Sequence, residues 1–176
     1  EIQTGFGRTG RLFRFQGEEV VPDILCCAKA MGGGMPLGAF IASRNILQSL
    51  TENPPLGHIT TFGGHPVSCA AALAQLEVLL EEDFISKAEE KGELFRTALQ
   101  GHPAVKEIRG AGLMLAVEME SEAVFLKLFE KLTEKGIVTD PFLFNTAAFR
   151  IAPPLIITEK QIAECCAVIR TCMDEL

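Results

Sequence analysis

The residue with the most chemistry open to it is Lys29, which stands between an apolar run, Ile24-Leu25-Cys26-Cys27-Ala28, and the triple glycine Gly32-Gly33-Gly34. A short apolar run bounded by polar residues and glycine reads as a buried strand, which places Lys29 at the strand's end. A lysine there has three outcomes: it reaches solvent, pairs with an acid, or gives up its charge. The last is chemically useful. Only the free amine attacks a carbonyl, and desolvation brings a lysine pKa down from its reference of about 10.4. The glycines suit a backbone that takes positive φ or approaches a bulky ligand closely. On spacing alone, a snorkelling surface lysine ahead of a flexible turn fits the same residues.

The elements that must position such a lysine can be traced outward from it. Upstream, Gly5-Phe6-Gly7-Arg8-Thr9-Gly10 has the form G-x-G-x-x-G, but Arg11 to Phe15 alternates like an extended segment. The dinucleotide motif needs a helix N-terminus at that point, so a glycine-rich loop is the better reading. Downstream, Leu37 to Ala42 reads as a second strand, paired with the first as a hairpin or by a crossover. Thr51 to His58 is a loop broken by Asn53-Pro54-Pro55 and Gly57. Ile59-Thr60-Thr61-Phe62-Gly63-Gly64-His65-Pro66 then leads into a helix over 67–82, with His65 at its start and Leu73, Leu76 and Leu80 on one stripe. A second helix, 83–99, ends at Gly101-His102-Pro103.

The texture changes there, and the sequence places a domain boundary within 83–103. Residues 105–109 and 113–120 are predicted strands, with Leu113, Leu115, Val117 and Met119 alternating on one face. Ser121 is set to cap a helix that Gly136 closes. Ile137-Val138, Phe142 to Phe144 and Phe149 to Ala152 are short strand candidates, the last carrying Arg150. Thr158 and Gln161 form a capping box for a final helix with Ile162, Cys165, Cys166, Ile169 and Met173 on its apolar face.

Composition excludes whole classes of function. With 176 residues and 48% apolar content the chain can bury a real core, in one large domain or two small ones. A formal charge of −7 with scattered basic residues argues against a nucleic-acid or anionic-membrane partner and for a small-molecule ligand. No apolar run reaches the ~18 residues of a membrane span. The six cysteines fit neither zinc spacing nor a secreted disulfide framework, so they are expected to be reduced and buried and the protein cytoplasmic, with no metal. The absence of an initiating methionine before Glu1 suggests a piece of something longer.

Four stretches taken together resemble the class-III aminotransferases: Glu1-Ile2-Gln3-Thr4-Gly5-Phe6-Gly7-Arg8-Thr9-Gly10, Lys29 with its glycines, Thr60 to Pro66, and Arg150-Ile151-Ala152-Pro153-Pro154-Leu155. They stand in the family's order and span nearly the whole chain. The subgroup acting on ornithine, acetylornithine, 4-aminobutyrate and related ω-amines looks nearest. The resemblance implies an α/β chain of the type I fold that binds pyridoxal 5'-phosphate: the second half of the large α/β domain over residues 1–90, then the C-terminal α+β small domain over 91–176. It implies a homodimer that moves an amino group from an amino acid or ω-amine to a 2-oxo acid.

By the same resemblance, Lys29 matches the lysine that carries the cofactor covalently and then shuttles a proton. Gln3 matches a glutamine beside the cofactor's phenolic oxygen. Thr61 matches the threonine that binds the cofactor phosphate of the neighbouring subunit, and Arg150 the arginine that meets a substrate carboxylate. Two alternatives share these residues: a truncated, non-catalytic dimerisation or binding module, and an aminomutase of the same fold. The family motif also has an aspartate for the pyridine nitrogen, which would immediately precede Glu1. Without it, the isolated 176 residues are expected neither to hold pyridoxal phosphate tightly nor to transaminate. An absorption titration with the cofactor checks this; a strong visible band that vanishes in Lys29→Ala would contradict it.

Overall fold

The computed structural model describes residues 1–176. It divides into two compact units, Glu1–Gly7 with Arg11–Ile85, and Arg8–Gly10 with Ser86–Leu176.

In the first unit the Glu1 carboxylate organises the opening loop. It accepts the Thr4 hydroxyl at 2.7 Å and the Phe15 amide at 3.0 Å. Burial raises its pKa, but these bonds outweigh that and hold it below the usual carboxylate value. The extended segment expected over Arg11 to Phe15 is not there. The chain bends and closes into a 3-10 turn, Arg14–Gly17, because the Phe15 amide is drawn to Glu1 and the Phe13 amide to the Gln16 side chain at 2.9 Å. No α-helix follows Gly10, so the loop presents no helix N-terminus to a pyrophosphate.

Strands β1 (Ile24–Cys27) and β2 (Ala39–Ala42) pair antiparallel, with Cys27 opposite Ala39. The run before Lys29 is thus a strand, but not the buried one expected: of the residues of β1 and β2 only Cys27 is buried, while Ile24 is 50% and Ile41 54% exposed. Two strands of four residues have too little surface to enclose either face. Ser43 caps a short helix that periodicity did not mark, α1 (Arg44–Gln48). Helix α2 (Pro66–Glu81) starts where expected, with His65 at its N-cap and proline in the first turn. Its packed side differs from the expected stripe, since Leu79 and Ser68 are buried while Leu73 and Leu80 stay exposed. A helix apolar on every side offers no contrast from which to choose a face. Cys26 and Cys69 are exposed as well, against the expectation that all six thiols are buried; all six are free.

Helix α3 (Phe84–Leu99) contains the division between the units. The second unit is built on a four-stranded antiparallel sheet ordered β3-β4-β6-β5, from β3 (Val105–Ala111), β4 (Met114–Met119), β5 (Asp140–Pro141) and β6 (Ala148–Ile151). Leu113, Leu115, Val117 and Met119 all point inward, as their alternation predicts. Phe95 and Leu99 of α3 join them in the core. So do Phe125, Leu128 and Leu132 of α4 (Glu122–Glu134), and Ile162, Cys166, Ile169 and Cys172 of α5 (Glu159–Asp174). Burying each such aliphatic or aromatic side chain is worth about 1.5–3 kcal/mol. Ser121 and the Thr158–Gln161 box cap α4 and α5 as expected.

The outer sheet face is charged. Glu118 accepts from Lys106 at 2.7 Å, Arg109 at 2.5 Å and Asn145 at 2.9 Å, which together pull its carboxyl down to about 2. His102 is buried, its Nε2 facing Asp174 at 3.0 Å and its Nδ1 accepting the Ala104 amide, an arrangement that ties the α3–β3 turn to α5. Neither Ile137-Val138 nor Phe142 to Phe144 forms a strand. The Ile137 amide closes onto Leu132 at 2.8 Å, and pairing with β6 is confined to Asp140 and Pro141, the latter having no N–H to extend a ladder.

Backbone comes very near to backbone under α3. A Cβ on Gly92 would stand 2.1 Å from the Gly112 carbonyl oxygen, and one on Gly112, at φ +51, would stand 2.7 Å from the Thr9 carbonyl carbon. Gly92→Ala favours the helix by about 1 kcal/mol in isolation. Here it is expected to destabilise the chain by about 1–3 kcal/mol, because helix and turn must separate. Urea unfolding measures the difference, and stability equal to or above wild type would contradict this packing.

Candidate active site

Lys29 opens a 3-10 turn, Lys29–Gly32, immediately after β1 and Ala28. Its backbone lies in the left-handed region at φ +53. For a lysine this conformation is costly, of order 1 kcal/mol, and it persists only when the surroundings enforce it. Three bonds do so: Met31 N to Ala28 O at 3.2 Å, Gly33 N to Ala30 O at 3.2 Å, and Met35 N to Gly32 O at 3.0 Å. The turn is also wedged against α2, where a Cβ on Gly33 would be 2.4 Å from the Ala71 carbonyl oxygen. Gly33 and Gly34 take positive φ, as the triple glycine suggests. The side chain of Lys29 is exposed, so of its three possible outcomes it takes the first and reaches solvent.

Gln3 is exposed in the opening loop. That loop flanks β1: burial chiefly raises the Cys27 thiol pKa, the N-terminal ammonium opposes the rise, and the Glu1 carboxylate adds to it. Thr61 is exposed in the turn before α2, which Gly63 N to Thr60 O at 3.3 Å and His65 N to Phe62 O at 3.2 Å hold together. Gly63 has no room for a side chain, since a Cβ would meet Thr60 Oγ1 at 2.7 Å, and Gly64 takes φ +70. The first unit therefore presents a primary amine, a carboxamide and a hydroxyl, with an α-helix N-terminus following that hydroxyl. This donor set fits an aldehyde that carries a phosphate.

Arg150 belongs to the second unit. On β6 it alternates with Phe149 and Ile151, which face the core, so it projects from the other sheet face. There it lies opposite Asp140 of β5 and forms an ion pair with it. The Thr139 hydroxyl donates to the Arg150 carbonyl at 2.5 Å. Both charged residues line a cavity of about 300 Å³ whose walls include Ile137 and Pro153. Arg8 stands close by. It donates to the carbonyls of Pro153 and, at 3.2 Å, of Leu113, and its pKa is lowered by burial first and by the like charge of Arg150 second.

Of the residues singled out from sequence, Gln3, Lys29 and Thr61 lie in the first unit and Arg150 in the second. Asp140 and the anchoring contacts of Arg8 were not anticipated. Asp140 sits in a stretch with no regular period, and its only sequence signal is the proline after it. A larger hollow of about 510 Å³, lined by Phe40, Arg44, Leu47 and His58 among others, includes none of the four. No group of three His, Cys, Asp or Glu side chains is placed to hold a metal ion, and no helix is long and apolar enough to cross a membrane.

The family model described as aminotransferase class-III matches residues 1–173. Among solved structures, the ornithine aminotransferase of Toxoplasma gondii, with partial occupancy of pyridoxal phosphate at its active site, is 37% identical with a TM-score of 0.88 over 99% of this chain and 42% of its own. The acetylornithine aminotransferase of Elizabethkingia anophelis is 36% identical, with a TM-score of 0.87 over 100% of this chain and 45% of its own. An aminotransferase of Bacillus anthracis is 30% identical, with a TM-score of 0.89 over 100% and 44%. The chain thus spans less than half the length of these relatives.

The two glycines after Lys29 make a contrast that can be measured. Gly33→Ala drives a Cβ into the Ala71 carbonyl, whereas Gly34, at φ +91, faces open space. Gly33→Ala is expected to cost about 1–3 kcal/mol and to speed amide exchange across Met31 to Met35, and Gly34→Ala only about 1 kcal/mol of conformational strain. Equal effects in unfolding and hydrogen exchange would contradict the wedge.

Proposed function

Because this chain belongs to the class-III aminotransferases, which work through pyridoxal 5'-phosphate, we propose that it serves a transaminase moving an amino group from an amino acid or ω-amine, of the ornithine or acetylornithine type, to a 2-oxo acid. The observation that carries the reading is the left-handed backbone of Lys29, a strained conformation held by the 3-10 turn that the lysine opens. When bound, the cofactor supplies an aldehyde to capture amines and a ring that accepts electrons.

The chain's own residues divide the remaining work. Lys29 Nζ would hold the cofactor at its aldehyde carbon and, as a free amine, would accept the proton from the amine-bearing carbon of the donor. The Gln3 carboxamide would donate to the cofactor's phenolic oxygen. The Thr61 hydroxyl, with Gly63 and Gly64 allowing close approach, would bind the cofactor phosphate of a second copy of the protein, so that the working form would be a homodimer. A hydrogen bond to such a charged group is worth about 1.5–3 kcal/mol. Arg150 grips a substrate carboxylate through two parallel N–H bonds. A cysteine spacing that fits no secreted disulfide framework supports a cytoplasmic location.

In the complete, cofactor-loaded polypeptide, Lys29→Ala is expected to lower kcat by about a thousandfold or more. Arg150→Lys keeps the charge but loses the fork, and is expected to raise KM for carboxylate substrates about tenfold with kcat little changed. Steady-state kinetics with one amino donor and one 2-oxo acid measures both. A Lys29→Ala enzyme of near-wild-type kcat would overturn the assignment.

A further inference from the structure

Glu1 holds the opening loop closed but has no part in the chemistry assigned to Lys29, Gln3 and Thr61. Its two carboxylate oxygens take one bond each: Oε2 accepts the Thr4 hydroxyl at 2.7 Å and Oε1 the Phe15 amide at 3.0 Å. Its backbone carbonyl accepts the Gly5 amide at 3.2 Å, and Gly5 lies so near that a Cβ there would stand 2.8 Å from that oxygen. Residues 1–5 thus form a loop closed on Glu1 twice, once through backbone and once through side chain, with Gln3 at its middle. Gln3 is exposed, so packing does not aim its carboxamide and the backbone of this loop must. The bond to Phe15 ties the loop to the 3-10 turn Arg14–Gly17, beside which Phe13 stacks on Phe15 and meets Phe6 edge-on at 5.6 Å.

This arrangement calls for a carboxylate. Both partners of the side chain donate, and only a carboxylate offers an acceptor at each oxygen; a carboxamide would turn its NH2 toward one of the two donors. The charge does not serve an ion pair with Arg14, which pairs with Glu18 instead. The field of Glu1 also reaches the Cys27 thiol at the end of β1, two residues before Lys29. Resting on the assignment of Gln3 to the cofactor's phenolic oxygen, we propose that Glu1 is a positioning residue that holds residues 1–5 so that the Gln3 carboxamide is delivered to that oxygen. Glu1 itself touches neither cofactor nor substrate and acts through Gln3. A bond donated by Gln3 draws charge from the phenolic oxygen, which then holds a neighbouring proton on Lys29 Nζ less well. Glu1 thereby helps to set the pH at which that proton leaves.

The test uses the complete, cofactor-loaded protein and follows the visible absorption of the Lys29-bound cofactor against pH. Gln3→Ala is expected to move the midpoint of that titration up by about one pH unit, the scale of a lost hydrogen bond to a charged group. Glu1→Ala is expected to move it the same way by about half as much or more, and the double variant no further than Gln3→Ala alone. Glu1→Gln is expected to fall between wild type and Glu1→Ala. Thr4→Val removes one of the two bonds and leaves the carboxylate; it is expected to give a smaller shift in the same direction, and it decides the matter if Glu1→Ala does not load cofactor. Hydrogen exchange on the same proteins is expected to quicken at the Gly5 and Phe15 amides. A Glu1 that merely supports the fold would lower thermal stability and leave the midpoint in place, or give a shift that adds to that of Gln3→Ala. Either result overturns the proposal while the role of Gln3 stands. If Gln3→Ala itself leaves the midpoint unmoved, the assignment of Gln3 has failed, and the proposal with it.

Discussion

The turn that holds Lys29 is the constraint on which the rest of the account depends. A lysine side chain has many rotatable bonds and needs no special backbone to reach solvent, so a left-handed φ at that residue is not a requirement of exposure. It follows from a strand ending, a 3-10 turn beginning and Gly33 wedging the far side of the turn against α2. Moving any of these re-aims the amine. The exposure of Lys29 then has a physical reading: the amine is delivered on a rigid mount, and within the first unit nothing masks it.

The second unit solves a different problem by the same means. Its sheet has one face closed by α3, α4 and α5 and the other given over to charge. On that charged face Arg150 could adopt many rotamers, and the cross-strand carboxylate of Asp140 restricts them. Arg8–Gly10, although they come from the opening loop, pack with this unit. There Gly112 and Gly92 allow backbone to lie on backbone, and the Arg8 guanidinium caps carbonyls of the β3–β4 turn and of the segment after β6. The glycines of the first motif thus serve close packing and turn geometry rather than a pyrophosphate.

Much of this was legible in the sequence where a single physical signal dominated. The inward alternation of Leu113 to Met119, the caps at Ser121 and Thr158, the proline opening α2 and the lysine with its glycines all rest on local rules that tertiary context did not override. Legibility failed where two signals competed or none was present. Apolar residues around the whole of α2 hid its packed side, and an apolar run could not reveal that β1 has a single partner strand. The Asp140–Pro141 strand was hidden because its partner lies ten residues on and the intervening Phe142 to Phe144 looks more strand-like than it does. Asp140 itself had no motif to announce it; only the register against Arg150 gives it meaning.

The central claim is that the amine at position 29 is the group that bonds to the cofactor. Borohydride reduction of the complete, pyridoxal-phosphate-loaded protein, followed by proteolysis and mass spectrometry, locates that bond directly. The account predicts a single stoichiometric phosphopyridoxyl group on the peptide containing Lys29. The same label on any other lysine, or none in protein that had retained its cofactor, would contradict it.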